Sequence, residues 1–163
     1  MREPEALSIL EEIYRLEAGS FIRYLVEISR PPVFDDEDRQ ALALYQDLYR
    51  QVERNSEAVA ELLTDEGVVP APIRWPLPYT NYNFLRPRYL LRPLLERFEG
   101  QIGEVEAAAR ALSSHDWSEA RETVEMMIER EKGCIERLRS AIATIPEESA
   151  EPPELKGTSA SQW

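Results

Sequence analysis

The chain has 163 residues, enough for one domain with a substantial core and short for two. Its 19 Lys and Arg against 31 Asp and Glu give a net charge of −12, which argues against nucleic acid, whose phosphates need clustered cations. No apolar run approaches the roughly 20 residues that span a bilayer, the start Met1-Arg2-Glu3-Pro4 lacks a signal-peptide profile, and the single cysteine, Cys134, excludes an internal disulfide or a Cys-rich zinc site.

The first predicted helix covers residues 4–29, where Leu10, Ile13, Tyr14, Phe21, Tyr24, Leu25 and Ile28 recur at three- and four-residue spacing until Pro31-Pro32 stops the pattern. The second follows Asp35 as N-cap, carries Leu42, Tyr45, Tyr49, Val52, Val59 and Leu63 on one stripe, and stops at Gly67. Residues 67–83 then hold Pro70, Pro72, Pro76 and Pro78, which favour an extended path. A segment of about 17 residues reaches on the order of 50 Å, against about 37 Å for a 25-residue helix, so the second and third helices are expected to run parallel. The third helix starts between residues 83 and 93 and shows Leu91, Leu94, Leu95, Phe98, Ile102, Val105, Ala109 and Leu112. The fourth opens at Asp116 with Glu119 in a capping-box arrangement and runs through Val124, Met127, Ile128, Ile135, Leu138 and Ile142 to Pro146. The expected architecture is an all-α four-helix bundle over residues 1–146 with a long crossover between its second and third helices, and a flexible tail over 147–163.

Two glutamates interrupt the apolar stripes. Glu17 lies four after Ile13 and four before Phe21; Glu131 lies seven after Val124 and seven before Leu138. A carboxylate in such a place must be paired, ligated or protonated, because burying it alone costs several kcal/mol. Tyrosines 14, 24, 45 and 49 are available as donors. Glu53, beside Val52, and Glu99, beside Phe98, sit at stripe edges, where they either complete a four-carboxylate cluster or are solvated. Gly19, Gly100, Gly103 and Gly133 fall inside predicted helices, where they allow close helix approach or leave room for a ligand.

The segment Leu16-Glu17-Ala18-Gly19-Ser20-Phe21, the segment Glu53-Arg54-Asn55-Ser56 with Gly67 and Pro70 after it, Glu131-Lys132-Gly133-Cys134, and His115-Asp116-Trp117 together resemble the ferritin-like superfamily, the bacterioferritin and rubrerythrin group, over residues 7–142. The resemblance implies a metal site of Glu17, Glu53, Glu99 (or Glu96) and Glu131. Ser56 and Cys134 stand where that family's Glu-x-x-His motifs carry histidine, so the standard di-iron set is incomplete. What remains is a carboxylate set suited to hard divalent cations, with a thiolate option at Cys134 or, alternatively, Cys134 as a small core residue.

The leading expectation is a binding or structural protein with a degenerate di-metal site, whether it is an enzyme being left open. Its alternatives are a carboxylate-only protein holding Fe or Mn for oxidation or storage, and an interaction module using the aromatic crossover residues Trp75, Tyr79, Tyr82 and Phe84, which could equally pack on their own bundle. No cofactor beyond such a divalent metal is expected. A cytoplasmic homo-oligomer, dimer or larger, is expected, with neither nucleic acid nor membrane as partner. No Gly-rich phosphate loop is present, and a histidine-dependent triad has only His115 to draw on.

Overall fold

The computed structural model describes residues 2–145, and these are helical without a strand. The tail expected over 147–163 lies outside the described residues. Helix α1 is Pro4–Ala18, with its proline in the first turn, where the missing N–H is harmless. Helix α2, Phe21–Tyr24, runs on into a π-helical turn, Leu25–Ser29. Helices α3 (Asp36–Asp65), α4 (Leu91–Leu112) and α5 (Ser118–Ala143) complete the set.

The first predicted helix is therefore broken. The chain leaves α1 through Gly19 and the extended Ser20, and a Cβ on Gly19 would sit 2.9 Å from the Arg15 carbonyl and 3.3 Å from that of Arg74. The crossover backbone passes this point, and only a residue without a side chain admits it. Helix α3 follows the expectation: Asp35 caps it by accepting from the Asp38 N–H at 2.9 Å, Asp36, Glu37 and Asp38 complement the helix dipole in its first turn, and Gly67, in the left-handed region at φ 78°, ends it. Helix α5 differs. It starts at Ser118 after the buried Trp117, and no side chain caps it; Asp116 instead offers its carbonyl to Arg2 at 3.0 Å.

Helices α1 and α5 each pack on both α3 and α4. The core divides into two apolar clusters. One joins Leu10 and Ile13 to Val59, Leu63, Val105, Leu112, Val124 and Met127. The other joins Phe21 and Leu25 to Tyr45, Leu48, Val52, Leu94, Phe98, Ile135 and Leu138. Residue numbers rise from the first cluster to the second along α1 and α5, and fall along α3 and α4. Helices α3 and α4 thus run parallel, and the crossover returns the chain along the full length of the helices. Each fully buried Leu, Ile or Phe in these clusters stabilises the fold by about 1.5–3 kcal/mol.

The crossover is fastened at two points. Tyr79 and Tyr82 lie 4.9 and 5.0 Å from the Phe21 ring, Trp75 lies 5.7 Å from that of Tyr24, and the Tyr24 hydroxyl donates to Asn83 at 2.7 Å. Farther on, Arg86 and Arg88 bind the acidic start of α3. Three of the four crossover aromatic residues, Trp75, Tyr79 and Tyr82, are thus packed on the chain's own helices, the alternative to an interaction surface. Phe84 alone projects, 89% exposed and at φ 70°.

Candidate functional site

A polar layer separates the two apolar clusters. Glu17, in the last turn of α1, and Glu131, midway along α5, are both fully buried there, and their carboxyl groups are electrostatic neighbours across the diagonal of the four long helices. The other two helices contribute amides. Asn55 of α3 approaches Glu17 Oε2 with its Nδ2 at 3.5 Å, while its Oδ1 accepts from Arg130 at 3.2 Å. Gln101 of α4 donates its Nε2 to Glu131 Oε1 at 3.0 Å.

The remaining atoms define the protonation state. Glu17 Oε1 and Glu131 Oε2 are buried and have no hydrogen-bond partner among the described residues. Two ionised carboxylates in contact and out of water would repel strongly, whereas one proton between these two oxygens satisfies both. Burial, then the neighbouring Glu131, holds the Glu17 carboxyl well above the ordinary glutamate range. Glu131 is also raised by burial, while its bonds from Glu17 and Gln101 pull the other way. The pair therefore titrates as a unit that keeps a proton above the ordinary glutamate range.

Of the residues expected to gather at mid-bundle, only Glu17 and Glu131 meet. Glu53 is partly buried elsewhere, 3.2 Å from the Tyr49 hydroxyl, which donates to Glu27 at 2.9 Å. Arg23 grips the same Glu27 at 2.8 Å and also donates to Ser56 Oγ at 3.1 Å, so Ser56 belongs to this lateral network beside the π turn. Burial and the Glu27 carboxylate push the Tyr49 hydroxyl up to about 12. Glu99 is exposed and pairs with Arg139 at 2.9 Å. Glu96 is exposed on the rim of a cleft. Cys134 is buried one turn beyond Glu131, and its thiol is pushed up to about 12 by burial and by Glu131, which keeps it neutral. His115 is 2.6 Å from Glu3, at the other end of α5.

This donor set does not fit a di-metal group. The positions facing Glu17 and Glu131 from α3 and α4 hold N–H donors rather than carboxylates, and those donors occupy oxygens a cation would need. Among the described residues, no group of three or more His, Cys, Asp and Glu is placed to hold a metal ion. The two amides were legible in the sequence. Gln101 stands three after Phe98 and four before Val105, and Asn55 three after Val52 and four before Val59, so both lie on the stripes, where a search confined to carboxylates passes over them.

Neither a protein-family model, nor a curated protein, nor a solved structure matches the chain, so a functional reading rests on its own residues. No helix among the described residues is long and apolar enough to cross a membrane.

Proposed function

We propose that the chain is a ferritin-like four-helix bundle in which a proton-sharing carboxyl pair stands in place of the di-metal centre, and that it serves as a binding or structural protein rather than as an oxidase or metal store. The observation that carries this reading is the Glu17–Glu131 pair with its amide donors Asn55 and Gln101. Two carboxylates bridged by metal need no proton, whereas two that share one resist a cation until it is expelled. The helix directions, with α3 and α4 parallel and joined by a long crossover, support the ferritin-like part of the reading.

The test is elemental analysis of protein purified without chelator, followed by titration with Mn²⁺ and Fe²⁺ under calorimetry. No stoichiometric metal and no saturable heat are expected. One equivalent of bound metal that disappears in Glu17→Ala would overturn the reading and restore the carboxylate-only metal protein in its place. Homo-oligomerisation belongs to the same proposal, supported by the exposed Ile28, Phe34 and Phe84 side chains; sedimentation of a monomer at micromolar concentration would remove it.

A further inference from the structure

A second polar feature lies beside the central pair. Between α1 and α4, under the start of the 3₁₀ turn Leu77–Tyr82, is a cleft of about 350 Å³. Three arginines from three different segments line it: Arg15 from α1, Arg74 from the crossover and Arg97 from α4. Arg15 is already bound to Glu12. Arg97 and Arg74 form no ion pair among the described residues, in a chain whose net charge is −12.

The guanidinium of Arg97 is held in place by other means. It lies 5.3 Å from the centre of the Tyr79 ring and 6.0 Å from that of Phe21, cation–π contacts that leave its N–H donors free. The Arg74 carbonyl is seated against Gly19, which places its backbone at the edge of the cleft. Gly100, about one turn after Arg97 on α4, leaves open space where a side chain would stand. Gln101 lines the same cleft and reaches from it to Glu131.

We propose that this cleft binds a small organic anion, a polycarboxylate or a phosphate monoester, whose charged group is taken by Arg97 and Arg74. Both classes present a pair of anionic oxygens that a guanidinium fork grips in two-point fashion. Glu96 and Glu104 also line the cleft and repel an anion, so its charge must lie against Arg97 and Arg74, while the acidic surface beyond disfavours a long polyanion. The proposal is independent of whether the fold is ferritin-like and of whether the central pair holds metal.

The experiment is a titration of the ¹⁵N-labelled full chain with citrate and, separately, with inorganic phosphate, read by amide chemical shifts. Saturable shifts at Gly19, Gly100 and Gln101 with either anion are expected; citrate alone assigns a carboxylate ligand and phosphate alone a phosphoryl one. Arg97→Ala and Arg74→Ala should each weaken binding by about ten-fold, a loss of the size one charge-assisted contact supplies. Arg110→Ala, on the exposed far end of α4, should leave it unchanged. No saturable shift at those amides up to about 10 mM of either anion, or binding undiminished in both cleft variants, would overturn the proposal.

Discussion

Arg86 Nε lies 2.7 Å from Asp38 Oδ2, and Asp38 is fully buried at the start of α3. The same oxygen accepts the Phe34 N–H at 3.1 Å, so the crossover, the loop before α3 and the helix itself meet at one carboxylate. Removing the cation leaves a buried charge without its nearest counter-ion, which is more damaging than losing a surface pair. Arg86→Ala should lower unfolding free energy by about 2–3 kcal/mol in urea titration. Arg88→Ala should do less, since it stands 3.9 Å from Asp38 and bonds chiefly to the exposed Glu37. Equal losses in the two variants would contradict this account.

The central pair gives the fold a definite pH signature. Burial and Glu131 raise the folded-state affinity of Glu17 for its proton, so above the ordinary value of 4.5 the folded chain keeps a proton that the unfolded chain has released. This contribution to stability is complete below that value and declines as pH rises toward the folded-state value. The amides of Asn55 and Gln101 oppose the rise without overcoming burial, Arg130 reaches the pair only through Asn55, and Glu106 adds to it by raising Glu131. General charge repulsion in so acidic a chain falls in the same direction, so the comparison must be with Glu17→Gln. That variant supplies an amide donor to Glu131 without needing a proton. It should match the wild type near pH 5 and exceed it by about 1–2 kcal/mol near pH 8. Parallel pH profiles would refute the shared proton.

Truncation should act in the opposite sense. Glu17→Ala leaves Glu131 buried beside a cavity with only Gln101 as donor, at an expected cost of about 3 kcal/mol by thermal or chemical unfolding. A gain in stability from this variant would mean that the pair is strained rather than satisfied.

Two glycines offer a contrast. Gly133 sits mid-helix in α5 with no atom within 4 Å of a prospective Cβ, so Gly133→Ala should stabilise by about 0.5–1 kcal/mol through helix propensity. Gly19→Ala drives a methyl against the Arg74 and Arg15 carbonyls and should destabilise by about 1–3 kcal/mol. The signs, read from melting temperatures, matter more than the sizes.

Cys134 should be inert. With its thiol pushed up to about 12 and its side chain buried, the thiolate available at pH 8 is roughly a thousand-fold below that of a thiol near 9. Alkylation by iodoacetamide should therefore require unfolding, and its rate should track denaturant concentration.

The long helices and their directions were open to reading because periodicity and crossover length are properties of the chain alone. The break at Gly19 was not, since one of the two carbonyls that crowd that position belongs to Arg74, more than fifty positions away. The pattern Asp116 to Glu119 satisfies the capping-box rule, yet the burial of Trp117 sets where α5 begins. Glu17 and Glu131 announced themselves as charges amid apolar neighbours. Glu53 misled because it is two residues from Asn55, roughly 200° around the helix, which turns an edge position outward.

The two carboxyl groups of the central pair come from the first and the last of the long helices, and α1 and α5 touch α3 and α4 far more than each other. Their contact can form only once nearly the whole chain has been gathered, after the local helices and the α4–α5 hairpin exist. It should be absent from the folding transition state and present only on its native side. Changes at Glu17 or Glu131 should then leave the folding rate nearly as it was and act on the unfolding rate, making this pair a setting for how long the native state lasts rather than how fast it is reached.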